Sequence, residues 1–293
     1  MIIIYGAGMT GRSILRDLIS KGKRNEDILF SDSDDKLWGR YVDDILVIPP
    51  KEICNYDYSK IIIGAAMGRE AIVKLLTEEL NINESLIEKN NPFVESYFKS
   101  YAVREQFMEN YSEIISYRSL EGNVAEGGVF EGRFSRVLSR IFPDRKLYLF
   151  DTFEGFDVRD VTFDQKKEYS ANIREGMYSS SKSIESIINS LPHPENAICC
   201  KGYFPESAEG IDDTFIFVNL DFDLYKPTLE GLRFFWPKLA EGGVLLVHDY
   251  FNAPGIIEED RYLGIRAAVA EFCDETGISY IPIGDAMSVA FIK

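Results

Sequence analysis

Two glycine-rich turns and a group of acids at strand ends hold the residues of this chain that could do chemistry. The first turn, Gly6-x-Gly8-x-x-Gly11, directly follows the β-branched run Ile2-Ile3-Ile4 and opens a helical pattern. Glycines in that context let a backbone approach phosphate oxygens, and the helix N-terminus supplies N–H donors and a favourable dipole. Asp32 closes the next apolar run about twenty residues on, where an acid can bind ribose hydroxyls. The second turn, Glu126-x-Gly128-x-x-x-Gly132, has the same context, and Asp151 ends the apolar run Leu147–Phe150 that follows it. Here the glycines let the chain turn against a ligand without phosphate, while the carboxylate can accept both ribose hydroxyl protons. Farther on, Asp221 and Asp223 end one apolar run and His248-Asp249 end another. Ligands of open α/β sheets bind beyond the carboxyl ends of the strands, so these four side chains converge if their strands are parallel neighbours.

The elements that must position these residues can be read from periodicity and punctuation. Ile14, Leu15, Leu18 and Ile19 have helical spacing. Strands are expected near Ile28–Phe30, Ile45–Ile48 and Ile61–Ile63, with Pro49-Pro50 stopping the third run because proline cannot donate to a ladder. Gly64 leads into a helix near Gly68–Leu80. Such alternation predicts a parallel sheet with crossover helices, a small Rossmann-like domain over residues 1–92. The aromatic-rich stretch 93–120 reads as a helical connector. Residues 121–293 carry a second alternation, with strands near Val124–Val129, Lys146–Asp151, Ile198–Lys201, Phe215–Asp221, Val244–Asp249, Ser279–Pro282 and Ala286–Ile292. Seven strands suit a doubly wound sheet, and the short turn around Gly284 makes the last connection an antiparallel hairpin. The segment Gly155–Ser181 reads as a long irregular lid. The fold class is α/β, with two domains.

The blocks "VAEGGVFEGRFSRVL", "LYLFDTFEGF", "CKGYFPES", "LDFDLYKPTLEGLRFFWPKLAEGGVLLVHDY" and "GIRAAVAEF" resemble the macrocin and mycinamicin group of sugar O-methyltransferases, in order, over about Leu120 to Lys293. That resemblance implies a seven-stranded class I methyltransferase sheet and S-adenosylmethionine as cofactor. It implies that Glu126, Gly128, Gly132, Asp151, Thr152 and Phe153 line the cofactor site, with Gly202 and Tyr203 near the adenine and Asp223 facing the cofactor. It also implies a catalytic divalent metal, Mg²⁺ or Mn²⁺, held by Asp221, His248 and Asp249. Such an ion would chelate two vicinal hydroxyls of a sugar or glycoside acceptor and lower the pKa of one. His248 stands where the sugar enzymes usually carry an aspartate. An imidazole suits Mn²⁺ better than Mg²⁺, and neutral His248 acting as general base is the other reading. The lid contains no histidine where the family places a base; Arg159, Lys166 and Arg174 make it locally basic, which suits a phosphorylated sugar. The first ninety or so residues, through "IIIYGAGMTGRSIL", "FSDSDDKLWG" and "IIIGAAMGRE", are similar to small nucleotide-sugar-binding domains of polysaccharide-pathway enzymes. This implies an N-terminal nucleotide site at Gly6, Gly8, Gly11 and Asp32.

Composition removes other classes. A net charge of −16 repels phosphate backbones and disfavours a nucleic-acid substrate. Four cysteines without C-x-x-C spacing make no disulfide framework, so a reducing compartment is expected. No basic, apolar leader opens the sequence and no apolar run is long enough to span a bilayer. The expectation is a cytoplasmic enzyme acting on a small molecule, with no membrane partner and with homo-oligomerisation left open. Tyr56-x-x-x-Lys60 has the spacing of a dehydrogenase base pair, but Lys60 abuts a strand and cannot share a helical face with Tyr56. The alternative function is an NAD(P)- or nucleotide-sugar-binding oxidoreductase, or a binding protein, acting through the N-terminal domain. It lacks a hydride-transfer acid/base set.

Overall fold

The computed structural model describes residues 1–66, 68–170, 172–251 and 262–293. They form two compact units, residues 1–100 and residues 101–251 with 262–293, divided within one long helix, Pro92–Tyr117.

In the first unit, strand β1 (Ile2–Tyr5) is buried along its whole length. It pairs in parallel with β2 (Ile28–Ser31) and β5 (Lys60–Ile63). The sheet is completed by β3 (Tyr41–Val42), β4 (Ile45–Ile48) and β6 (Ile87–Glu88), in the order β3-β4-β2-β1-β5-β6. Only β3 is antiparallel to its neighbour. Helix α1 (Met9–Ser20) packs Ile14, Leu15 and Leu18 over one face. Leu76 and Ile82 cover the other, beyond the short helix α2 (Arg69–Lys74). Burial on both faces explains why these strands are continuous apolar runs rather than alternating ones. β3 and β6 escape sequence reading because two residues carry no period.

The long helix, α3 (Pro92–Tyr117), leads to β7 (Asn123–Gly127), α4 (Arg133–Ile141), β8 (Leu147–Asp151), α5 (Val158–Lys166), α6 (Ile184–Asn189) and β9 (Ala197–Lys201). Then follow β10 (Phe215–Leu220), α7 (Tyr225–Lys238), β11 (Leu239–Val247), α8 (Leu263–Thr276), β12 (Ile281–Pro282) and β13 (Val289–Ile292). The strand order is β12-β13-β11-β10-β7-β8-β9, with β13 antiparallel to both β11 and β12. This is the doubly wound sheet with the antiparallel hairpin expected at its end. Met108, Phe134, Leu138 and Ile187 pack on one side of it against Leu149, Phe217 and Leu246. Full burial of each such side chain contributes about 1.5–3 kcal/mol. From β7 the chain winds outward through β8 and β9, then returns to β10 on the opposite side. The crevice beyond Gly127 and Leu220 is therefore the topological switch point.

One expectation needs correction. The segment Gly155–Ser181 is not irregular throughout, because it contains α5. Asp157 caps that helix by accepting from the Arg159 N–H at 2.8 Å. The helix was hidden because its buried face is acidic: Asp160 and Asp164, one turn apart, are 4% and 0% exposed. An apolar period cannot be read from buried carboxyls. No helix among the described residues is long and apolar enough to cross a membrane.

Candidate active site

At the switch point the second glycine turn and the end of β8 are bonded together. Asp151 Oδ2 accepts from the Val129 and Phe130 N–H groups at 2.7 and 2.8 Å, and Oδ1 from Phe153 N–H at 2.6 Å. Gly128 N–H donates to the Phe150 carbonyl at 2.9 Å, and Gly202 N–H to the Asp151 carbonyl at 3.0 Å. Three loops thus meet above β7, β8 and β9. A carboxylate has about four lone-pair positions, so Asp151 retains acceptor capacity for ribose hydroxyls. Gly128 has φ +83°, and a Cβ there would lie 2.0 Å from the Asp221 carbonyl oxygen. The glycine is what lets the turn lie against the end of β10.

The other cofactor-site candidates are distributed around this turn. Glu126 is buried on β7 and hydrogen-bonded to Ser135 of α4. Gly132 has φ +72° and precedes α4, close to Ile187. Thr152 donates to the Gly155 carbonyl at 2.7 Å, closing the Asp-Thr-Phe-Glu-Gly turn. Phe153 joins the hydrophobic core, while Tyr203 donates to Asp160 at 2.8 Å and lies under the Arg159 guanidinium.

Beside the turn, Asp221, His248 and Asp249 each present one ligand atom, all within 4.8 Å of one another. Asp223 hydrogen-bonds to Asp249. Burial raises the Asp221, Asp223 and Asp249 carboxyls above the usual range, Asp249 to about 7; repulsion from the neighbouring acids adds to this at Asp223 and Asp249, while the Arg104 charge opposes it at Asp221. Burial, reinforced by the Arg104 charge, holds His248 well below its ordinary value, so its ring is neutral near pH 7. Two oxygens and a neutral imidazole nitrogen at this spacing are a donor set that fits a divalent transition metal. Phe130, Phe153, Tyr178, Asp223 and Asp249, five of the eleven non-glycine residues with positive φ among the described residues, lie at this site. Backbone strain of that kind concentrates at functional sites.

Residues 101–290 match the family model described as Macrocin-O-methyltransferase (TylF). The chain belongs to this family. Residues 1–88 match a second model, described as C2185-like, N-terminal. Among solved structures, the O-methyltransferase NovP is 19% identical, covering 78% of this chain and 98% of NovP, with a TM-score of 0.50. The calicheamicin methyltransferase CalS11 is 18% identical, covering 76% of this chain and 90% of CalS11, with a TM-score of 0.49. No curated protein matches the chain. The protein is an S-adenosylmethionine-dependent O-methyltransferase, and its catalytic fold is the second unit.

In this methyltransferase several site residues carried no sequence signal. Arg104 of α3 donates to Asp221 Oδ2 at 3.3 Å, with its guanidinium 4.2 Å from the Phe134 ring centroid. It is buried, and its Nε has no partner among the described residues. Nothing in the aromatic-rich connector distinguishes it from the neighbouring surface charges. Tyr178 of the lid packs against Phe130 and Phe156 and shares a 3.2 Å hydroxyl contact with Tyr262. Burial, the Asp223 charge and the other acids raise the Tyr178 phenol, so it stays protonated as a donor.

In the first unit, Asp32 plays the same part as Asp151. Its Oδ2 accepts from Ala7 N–H at 2.7 Å and its Oδ1 from Asp34 N–H at 2.9 Å. Gly6, with φ +107°, and Gly11, whose Cβ would meet the Gly6 carbonyl oxygen at 1.8 Å, are both required by the turn itself. Gly8 is not, since a Cβ there would meet nothing within 4 Å among the described residues.

Buried carboxyls give the methyltransferase a definite pH response. Burial pushes Glu126 up to about 8, Asp164 to about 7 and Asp160 to about 6. Each folded value lies above the unfolded one, so the stability these groups contribute is complete below about pH 4 and is lost as pH rises through 6 to 8. The cofactor-free protein is expected to melt at a higher temperature at about pH 5.5 than at about pH 8.5. A melting temperature that rises with pH over that interval contradicts the assignment.

Proposed function

We propose that this enzyme transfers the methyl group of S-adenosylmethionine to a hydroxyl of a sugar or glycoside, assisted by a divalent cation held by Asp221, His248 and Asp249. The clustering of those three donors beside the Gly128 turn carries the proposal. The cofactor would lie along Glu126, Gly128, Gly132, Asp151, Thr152 and Phe153, with Gly202 and Tyr203 toward the adenine and Asp223 toward the sulfonium. A cation bound there would acidify the acceptor hydroxyl and hold its oxygen in line with the methyl–sulfur bond. Tyr178 and Tyr262, joined through their hydroxyls, lie close to Asp223 and Asp249. A site carboxylate takes the hydroxyl proton; neutral His248 is the base only in the alternative in which it is not a cation ligand. No acid catalyst is needed, because the departing thioether is neutral. The sugar class rests on the Asp-Thr-Phe-Glu-Gly-Phe and Leu-Asp-x-Asp-Leu-Tyr blocks.

Gly8 favours a further ligand, a nucleotide or nucleotide sugar, at Gly6, Gly8, Gly11 and Asp32 of the first unit. Its missing side chain answers no contact among the described residues. We place the functional division at 1–92, 93–120 and 121–293. Titration calorimetry with S-adenosylhomocysteine, NAD and UDP-sugars separates the readings. Tight S-adenosylhomocysteine binding without an NAD response is expected; NAD binding in the absence of any S-adenosylhomocysteine response would refute the proposal.

A further inference from the structure

Behind His248 runs a chain of buried hydrogen bonds. Its Nδ1 lies 2.9 Å from Ser288 Oγ. The Ser288 hydroxyl donates to Asp285 Oδ2 at 2.6 Å. Asp285 Oδ1 in turn accepts from the backbone N–H groups of Met287 and Ser288 at 2.9 and 2.7 Å. Ser288 and Asp285 are 1% and 2% exposed, so water does not compete for these bonds. Both residues belong to the segment joining β12 to β13; sequence reading put Asp285 in the turn and Ser288 in the strand that follows it.

The direction of each bond follows from counting protons. A serine hydroxyl has one to give, and the Asp285 carboxylate, which has only acceptors, takes it. Ser288 Oγ then meets Nδ1 with a lone pair, so Nδ1 must carry the N–H. A neutral imidazole has a single N–H, which leaves Nε2 bare. Nε2 stands 3.5 Å from Asp249 Oδ1, too far for an N–H···O bond. The opposite tautomer would leave Ser288 with two acceptors and one proton.

We infer that Asp285 and Ser288 are positioning residues that hold His248 in its Nδ1–H form, so that the Nε2 lone pair faces the acids at the site. The use of that lone pair as a metal ligand rests on the proposed function; the tautomer does not. Outer partners of this kind orient imidazole ligands and set which nitrogen is available.

The test reads the ring nitrogens directly, in protein free of cofactor and metal. The chain has only two histidines, so ¹⁵N-histidine spectra at about pH 8 contain two rings, and His193→Gln assigns them. The wild type is expected to show His248 protonated at Nδ1. In Asp285→Asn the amide keeps an oxygen for the turn but donates to Ser288. Ser288 must then donate to Nδ1, and the His248 proton moves to Nε2. Ser288→Thr keeps the wild-type pattern, whereas Ser288→Ala loses the Nδ1 partner. By calorimetry, Mn²⁺ affinity falls about 10- to 100-fold in Asp285→Asn, with S-adenosylhomocysteine affinity unchanged. A wild-type ring protonated at Nε2, or an Asp285→Asn ring that keeps its proton on Nδ1, overturns the inference. Should the tautomer switch as expected in a protein that binds no Mn²⁺, the relay is supported and the metal role alone falls.

Discussion

Replacing Asp221 or Asp249 by asparagine is expected to lower the methyl-transfer rate by about 10²–10⁴-fold while S-adenosylhomocysteine affinity stays within about twofold. The size follows from the several kcal/mol that a bound cation contributes to stabilising an acceptor oxygen, converted to a rate. Asparagine is the informative choice at both positions. Asp249 has φ +54°, a conformation that asparagine tolerates better than other side chains with a Cβ. At position 221 the amide oxygen can still accept from Arg104. The turn therefore survives and only the charge and ligand character are lost. Single-turnover rates, calorimetry with S-adenosylhomocysteine and wild-type assays in excess chelator check this together. Full activity in both variants, or undiminished wild-type activity in chelator, sinks the metal role.

Gly128→Ala is expected to have the largest effect on stability. The added Cβ would lie 2.0 Å from the Asp221 carbonyl oxygen and 2.6 Å from its carbon, both backbone atoms that no rotamer change can move. The φ of +83° adds about 1–2 kcal/mol for a residue with a Cβ, and overpacking about 1–3 kcal/mol more. A fall in melting temperature of about 5–15 °C follows, with loss of cofactor binding as the turn is pushed off β10. Gly8→Ala is the control: its φ of −78° is ordinary and its Cβ meets open space, so the folded protein is expected to be unaffected. Scanning fluorimetry of the two variants is sufficient. A Gly128→Ala protein that melts with the wild type would mean that the glycine turn does not press against the end of β10.

The two variants also separate the two glycine motifs, which look alike in sequence. In each, an acid about twenty residues downstream returns to accept from the turn's own N–H groups, Asp32 at Ala7 and Asp151 at Val129 and Phe130. The spacing that suggests ribose recognition is thus partly a device for closing the turn. What differs is the neighbour. Gly128 faces the end of a strand bearing an acid cluster, whereas Gly8 faces nothing among the described residues.

By itself the sequence determined the alternation of strands and helices, the antiparallel end of the second sheet and the family, because these are written in local periods, turn residues and contiguous blocks. Asp221, His248 and Asp249 could be placed at strand ends for the same reason: in a parallel sheet, strand ends share one edge. The tertiary structure alone decided what surrounds them. It brought Arg104 from α3, Tyr178 from the lid and Ser288 with Asp285 from the β12–β13 segment to the same few side chains. It also turned two acids of α5 inward, where no hydrophobic period could announce a helix. Periodicity records which face of an element is buried among apolar neighbours. It is silent about isolated polar residues whose partners lie a hundred positions away, and those partners set the charge, the tautomer and the solvent access of a site.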